Sequence, residues 1–260
     1  MPGMLFCRYG PEGFHAAGDA LEAMRVLHSD PFSTPVSQWR FGREIDLARE
    51  AIRAPVEPGK IVGIGRNYAE HARELDHPVP EEPVLFLKSP GSVIGPRAPI
   101  VLPPESQRVE HEGEIAVVLG ARLRRAPAAD AARAVLGVTA ACDVTARDLQ
   151  RRDPTFARAK SFDTFCPLGP AVLVEPDLEE LAVVTRVNGE ERQRGHVSQM
   201  LWGIAELLAY ASRMMTLEPG DVVLTGTPAG VGPLADGDRL EVEVEGVGVL
   251  VNPVEAWRQE

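Results

Sequence analysis

Glu110-His111-Glu112-Gly113-Glu114-Ile115-Ala116-Val117-Val118-Leu119 sets three carboxylates at alternate positions and runs them into a wholly apolar stretch. Ile115 to Leu119 read as a buried strand. Residues two apart on a strand point to the same face, so Glu110, Glu112 and Glu114 converge on one side of its mouth. An unpaired carboxylate is costly to bury and takes up a proton instead. A bound divalent cation is the simplest way to keep several of them charged together. The chain contains its own control in Leu240-Glu241-Val242-Glu243-Val244-Glu245. There the residues between the acids are apolar, which describes a half-buried strand with its acids in solvent. At 110–114 the intervening residues are His111 and Gly113, which supply no apolar face, and Gly113 points to a close approach of the backbone to something.

Around this stretch the composition is that of a globular chain. Its 260 residues, 44% hydrophobic and 25% charged, suit one large domain or one large and one small. No stretch reaches the roughly 18 apolar residues of a membrane span. The start, Met1-Pro2-Gly3-Met4-Leu5-Phe6-Cys7-Arg8, lacks the basic-then-apolar layout of a signal peptide. Cys7, Cys142 and Cys166 are odd in number and far apart, forming neither a disulfide framework nor a zinc cluster, so a cytoplasmic location is expected. A net charge of -11 argues against nucleic acid as a partner. It leaves room for a small anionic substrate, because local sites override net charge. Neither a membrane partner nor an internal repeat is read.

Residues 1 to about 55 read as a small appendage, with strands at Leu5–Tyr9 and Phe14–Ala16 and a boundary at Val56-Glu57-Pro58-Gly59-Lys60. Ile61 to Gly65 follows as a buried strand; its Gly63-x-Gly65 lacks the third glycine of a dinucleotide loop. Residues 66–76 are helix-compatible until Pro78 and Pro80. The passage 90–104 is loop with short strands, Ala128–Leu136 an alanine-rich helix stopped by Gly137, and Val138–Cys142 a buried strand that delivers Asp143. Asn188-Gly189 predicts a type I′ hairpin. Ser198 is a helix cap for a helix to about Met215, with Leu201, Ile204, Leu207, Leu208 and Ala211 as its stripe. Val222–Thr225 is buried strand, and a hairpin around Gly246 closes the chain. Many short strands and few helices describe a mixed, mostly β architecture without a regular βαβ repeat.

Several residues admit two readings. Asp143, before Thr145-Ala146-Arg147, is either a helix N-cap or a ligand for the same ion as Glu112 and Glu114. Carboxylates without His or Cys partners favour a hard cation over zinc. Lys160 is either a surface lysine or part of the site. His71 and Glu74, three apart on a helix, form either a solvated face or a pair in which the carboxylate orients the imidazole for proton transfer. Thr225-Gly226-Thr227-Pro228-Ala229-Gly230 is an anion-holding loop or a structural turn. His15, His28, His77 and His196 show no grouping and read as structural or surface residues.

Taken together, Gly63 to Glu74, Phe86 to Ser89, Glu110 to Glu114, Asp143 to Gln150, Ala159 to Phe162 and Leu224 to Pro228 resemble, in order, the fumarylacetoacetate hydrolase (FAH) family over about 60–255. Residues 1–55 resemble the short N-terminal segment of bacterial members related to 2-hydroxyhepta-2,4-diene-1,7-dioate isomerase. The resemblance implies an α/β fold, mixed and mostly β: an FAH-type mixed β-sandwich roll with peripheral helices, a small N-terminal domain (1–55) and a catalytic domain (56–260), assembled as a homodimer. It implies Mg²⁺ (or Mn²⁺) on Glu112, Glu114 and Asp143, with Glu110 outside that trio, behind the ligands or in solvent. Lys160 matches the lysine that meets the substrate's anionic oxygens, Arg147 and Gln150 the groups for its carboxylate and keto end, and Thr227 the strand-end threonine there. His71 and Glu74 match a water-activating dyad on a lid, with residues 70–80 expected to move. The implied chemistry is that of a small 2-oxo acid or 2-hydroxydienoate passing through a metal-stabilised enolate. An isomerase of aromatic catabolism is expected first, and an acylpyruvate hydrolase or oxaloacetate decarboxylase next. A non-catalytic metal- or ligand-binding module is the alternative of another class.

Overall fold

The apolar run of the opening stretch becomes the strand Gly113–Leu119, buried along its whole length in the middle of a twelve-stranded sheet. The computed structural model describes residues 3–76 and 78–259. Along the main path of the sheet the order is Phe41–Ile45, Met24–Leu27, Phe14–Gly18, Leu5–Tyr9, Cys166–Val174, Val135–Cys142, Gly113–Leu119, Val222–Leu224, Ile61–Gly65 and Val84–Lys88. Both faces are covered. Ile115, Val117 and Leu119 join one buried cluster, while Ala116 and Val118 join another with Phe6, Trp39 and Leu224. Two-sided burial is why this strand reads as a continuous apolar run.

A second, five-stranded sheet lies over the first face. It contains Glu190–His196, Ala182–Val187, Arg239–Val244, Gly248–Ala256 and Ile100–Leu102, and contributes Val183, Val242 and Val244 to the shared core. A three-stranded sheet of Thr145–Ala146, Val109–His111 and Gly232–Pro233 frames the mouth. The fold is mostly β with few helices, as the pattern of short strands predicts.

The sheets meet closely at Gly113. A Cβ built there would lie 1.8 Å from Thr185 Oγ1 of the second sheet, so the close approach read from this glycine is to the neighbouring sheet. Gly63 has a similar explanation: a Cβ would meet the Phe86 ring at 2.1 Å across the strand pair. The two glycines of 63–65 thus belong to a strand, and Gly63 makes room for Phe86.

The N-terminal strands extend the large sheet, because Leu5–Tyr9 pairs with Cys166–Val174. The hairpin at Asn188-Gly189 forms with both residues at positive φ (54° and 81°), the backbone a type I′ turn demands. The strand Arg239–Val244 alternates buried Leu240, Val242 and Val244 with partly exposed Glu241 and Glu243.

Two helices depart from expectation. The alanine-rich helix covers only Ala128–Arg133, and strand begins at Val135, where Leu119 supplies a partner. Pairing there overrides helix propensity. The helix expected from Ser198 starts at Ile204, with the Gly203 N–H bonded to Glu206. Before it, the backbone N–H groups of Leu201 and Trp202 are held by the carbonyl and side chain of Asn67, and Ser198 lies in a short turn capped by His196. Among the other histidines, His28 is exposed and His15 packs its ring edgewise on Phe6 and Phe32. His77 lies outside the described residues.

Candidate active site with a carboxylate triad

The site is assembled by register. Gly113 pairs with Cys142 and Glu114 with Ala141, while Asp143 N–H donates to Glu112 O at 2.8 Å, so Asp143 stands opposite Glu112. By strand alternation the side chains of Glu112, Glu114, Ala141 and Asp143 share one face. Ligand atoms of the three acids lie within 4.8 Å of one another, and all three side chains are buried. Asp143 therefore ends a strand and does not cap the following helix Arg147–Gln150, whose N-cap is Ala146.

Three buried cations answer Glu112 and Asp143. Lys160 Nζ donates to Glu112 Oε2 (2.7 Å) and Asp143 Oδ2 (2.6 Å). Lys88 Nζ donates to Asp143 Oδ1 (2.7 Å) and to the Lys160 carbonyl. Arg147 donates from Nη2 to Glu112 Oε1 (2.5 Å), from Nε to Glu110 Oε2 (2.7 Å) and from Nη1 to Gln150 Oε1 (2.6 Å). The solvated alternatives for Lys160 and Glu110 are thus overturned: Lys160 is 2% exposed, and Glu110 is 1% exposed between Arg147 and Arg108. Burial pushes Glu112 up, but Lys160 and Arg147 outweigh it and hold the carboxyl below the usual range. Burial opposes the charge on Lys160, yet Asp143 and Glu112 raise its pKa overall.

Glu114 differs from its neighbours. It accepts a hydrogen bond from Gly226 N–H (2.6 Å) and, among the described residues, makes no ion pair. Burial, with Asp143 and Glu112 beside it, pushes its carboxyl well above the ordinary value. One acid of the trio thus lacks a countercharge, and the cluster offers only hard carboxylate oxygens. Both observations fit a divalent ion of the Mg²⁺ or Mn²⁺ kind, held by Glu112, Glu114 and Asp143.

A cavity of about 320 Å³ opens on this cluster and is lined by Glu112, Glu114, Arg147, Gln150, Lys160 and Thr227. His71 lines it too, from the short helix Ala69–Glu74 that follows the strand Ile61–Gly65. The His71 ring is buried, with Nδ1 3.4 Å from Glu74 Oε2, so the solvated-face alternative fails for this residue. Glu74 also accepts from Gly230 N–H at 3.0 and 3.1 Å, tying the helix to the 226–230 loop. Phe86 and Phe156 are apolar walls, and Lys160 Nζ sits 4.9 Å from the centre of the Phe86 ring.

Sequence reasoning assigned nothing to Gln193, His111 or Lys88. Gln193 Oε1 accepts from Gly113 N–H (3.0 Å) and lies 3.0 Å from His111 Nδ1. Its Nε2 donates to Thr227 Oγ1 (2.6 Å) and Pro228 O (2.7 Å). A backbone N–H can only donate and a carbonyl can only accept, so these contacts fix the amide's orientation. His111 must then carry its proton on Nδ1. Thr227 Oγ1 in turn donates to Gly113 O at 2.8 Å, so its hydroxyl proton is already committed. Lys88 could have been suspected as the one charge closing Val84-Leu85-Phe86-Leu87, but no local pattern marks Gln193.

Compared with known proteins, residues 60–255 match the family described as fumarylacetoacetate (FAA) hydrolase C-terminal. The chain belongs to the fumarylacetoacetate hydrolase family. Among solved structures of this family, 5-carboxymethyl-2-hydroxymuconate delta-isomerase from Mycobacterium smegmatis is 42% identical, with a TM-score of 0.87 over 97% of this chain and 100% of that one. The 2-hydroxyhepta-2,4-diene-1,7-dioate isomerase from Mycobacterium marinum is 38% identical, with a TM-score of 0.88 over 98% of this chain and 100% of that one. Oxaloacetate tautomerase FAHD2A, mitochondrial, from Bos taurus is 45% identical over 77% of this chain and 68% of its own length. The protein is thus an enzyme of the FAH superfamily with isomerases and hydrolases as neighbours. Among the described residues no helix is long and apolar enough to cross a membrane.

Proposed function

We propose that this chain is a divalent-metal-dependent isomerase of small 2-oxo and 2-hydroxydienoate acids, of the 2-hydroxyhepta-2,4-diene-1,7-dioate isomerase kind. The observation that supports it is a single cavity lined both by the acids Glu112 and Glu114 and by His71. When bound, Mg²⁺ or Mn²⁺ on Glu112, Glu114 and Asp143 supplies Lewis-acid charge that favours loss of a proton beside the 2-oxo group. Lys160 adds fixed positive charge at the same place. Arg147, held by Glu110, offers its remaining N–H groups with Gln150 to the substrate's near carboxylate. Glu74 faces Nδ1 of His71, which leaves Nε2 as the ring nitrogen that takes up and returns the proton. Ile64, Leu75, Phe86 and Phe156 keep water from the reacting carbons. On this reading the protein acts as a homodimer in the cytoplasm, in the breakdown of aromatic compounds. Its net charge of -11 supports a partnership with neither nucleic acid nor an acidic membrane surface.

A second reading, tautomerisation or decarboxylation of oxaloacetate or hydrolysis of an acylpyruvate, is supported by the similarity to an oxaloacetate tautomerase and by the His71–Glu74 pair, which suits activation of water. The test is turnover of 2-hydroxyhepta-2,4-diene-1,7-dioate, oxaloacetate and acetylpyruvate by purified protein with Mg²⁺, followed through the ultraviolet absorbance of the conjugated or enol form. The dienedioate is expected to turn over fastest. No turnover of any of the three, with Mg²⁺ or Mn²⁺, while the metal still binds, would leave a metal-binding module in place of an enzyme.

A further inference from the structure

Each carboxylate oxygen of Glu112 and Asp143 accepts from a buried cation. Two of these oxygens have separate partners: Glu112 Oε1 accepts from Arg147 Nη2 at 2.5 Å, and Asp143 Oδ1 from Lys88 Nζ at 2.7 Å. The other two, Glu112 Oε2 and Asp143 Oδ2, are bridged by a single ammonium, Lys160 Nζ, at 2.7 and 2.6 Å. A divalent ion that takes one oxygen from each acid of the triad therefore shares its oxygens on Glu112 and Asp143 with these cations. Glu114 stands apart, since its hydrogen bond comes from a neutral donor, Gly226 N–H.

Lys160 is held where it is. It ends the helix Ala157–Lys160, its N–H donates to Phe156 O at 3.0 Å, and its carbonyl accepts from Lys88 Nζ. The Phe86 ring flanks the ammonium, and a buried lysine that left these oxygens would lose both of its ion pairs. A carboxylate oxygen can accept more than one bond, so the ammonium and an ion can touch the same atoms together. What they cannot escape is mutual repulsion, in surroundings that screen charge poorly. With Glu110, Glu112, Glu114 and Asp143 all ionised, the buried Lys88, Arg147 and Lys160 leave one negative charge over, and a divalent ion turns that into a net positive charge.

We propose that Lys160 works against the metal. Through the two oxygens it bridges, it keeps a divalent ion more weakly bound than the three acids alone would hold it, while leaving a positive charge beside the reacting oxygens. The inference rests on the metal reading above and adds the residue that sets the ion's affinity. The sign of one measurement separates it from a structural role. If Lys160 only held Glu112 and Asp143 in position, removing it would scatter the ligands and weaken the ion. If it opposes the ion, removing its charge tightens the ion.

The test is Mg²⁺ binding to the full chain by calorimetry at one pH, with turnover measured on the same samples. Lys160→Met keeps an unbranched side chain and removes the charge. Its Mg²⁺ affinity is expected to rise about 10-fold, the low end of what a charge within about 4–6 Å does to an ionic equilibrium, while turnover falls. Lys160→Arg keeps the charge and should stay within about 3-fold of the wild type. Arg151→Gln removes a cation that is exposed, lines the same cavity and bonds none of the three acids; it should change the affinity by less than about 2-fold. Melting temperatures with and without Mg²⁺ check folding, and a larger rise with Mg²⁺ in Lys160→Met than in the wild type reports the same tightening. Should Lys160→Met not fold, Lys160→Gln, neutral and polar, takes its place. Mg²⁺ affinity unchanged or lowered in the neutral variant overturns the proposal while the metal site stands. No uptake of Mg²⁺ or Mn²⁺ by the wild type overturns the metal reading, and the proposal with it.

Discussion

Two strands of this molecule carry acids at every second position and have opposite fates. Glu112 and Glu114 are buried with Asp143, and Lys160, Lys88 and Arg147 answer Glu112 and Asp143. Glu241 and Glu243 stay partly exposed, Glu243 paired with Arg186 at 2.7 Å near the surface. The acids are alike; what lies between them is not. Leu240, Val242 and Val244 turn one face of their strand into the core and leave the other to water. At Gly113 the missing side chain lets the second sheet come down on the backbone, and the acids on the opposite face are enclosed with cations from distant segments. The consequence is energetic: exposed ion pairs contribute about 0–1 kcal/mol, whereas removing one partner from a buried pair costs about 3–5 kcal/mol.

The largest difference should appear in metal uptake. Glu112→Gln removes a carboxylate from the triad and is expected to weaken Mg²⁺ binding by about 100-fold or more, since even groups behind metal ligands are worth 10–100-fold. Turnover should fall with it. Glu243→Gln, the matching change on the other strand, should alter neither by more than about 2-fold. Calorimetry with Mg²⁺ measures both, and undiminished binding by Glu112→Gln would break the comparison.

Next comes stability. Lys88→Met withdraws a fully buried ammonium from Asp143 and should cost about 3 kcal/mol in denaturant unfolding of the metal-free protein. Arg186→Met breaks the pair with Glu243 and should cost less than about 1 kcal/mol. Equal costs would mean that enclosure does not separate the two strands.

Much of this was legible in the chain. The acid-to-apolar junction at 114–115, the strand that delivers Asp143 and the Asn188-Gly189 turn each follow from local periodicity or turn chemistry. Arg147 and Gln150 came from resemblance, which also chose between the two readings that the residues left open for the His71–Glu74 pair and the Thr227 loop; His71, Arg147, Gln150 and Thr227 line the cavity, and Glu74 stands behind His71. Lys88 and Gln193 were missed because what makes them matter is remote. Lys88 meets Asp143 across 55 residues and Gln193 meets Gly113 across 80, and no short pattern encodes either contact. The helix start at Ile204 was misread for the same reason, since Asn67 claims the preceding backbone. Local rules found the strands; long-range hydrogen bonds decided which polar residues they enclose.

The role given to Gly113 can be sharpened by restoring its Cβ. Gly113→Ala should destabilise the protein by about 1–3 kcal/mol, the usual cost of overpacking, because the new methyl meets Thr185 Oγ1. Thr185→Ala removes that hydroxyl, which is buried without a hydrogen-bond partner, so the single change should cost little. Combined with Gly113→Ala it should recover about 1 kcal/mol of the loss. Additive costs would place the strain elsewhere.

The smallest expected effect concerns Gln193, which touches no acid of the triad. Its amide bonds the Gly113 N–H between Glu112 and Glu114, and also bonds Thr227 and Pro228. Gln193→Leu keeps the bulk and removes all of these bonds. If the amide positions the peptide that carries the two acids, Mg²⁺ affinity should fall about 10-fold, the lower range for groups that hold metal ligands in place. A purely structural role would lower the melting temperature and leave the affinity of the remaining folded protein unchanged. Measuring both on one sample separates the two outcomes. The second sheet then either covers the acidic strand only as packing, as it does elsewhere, or also sets its geometry through one glutamine.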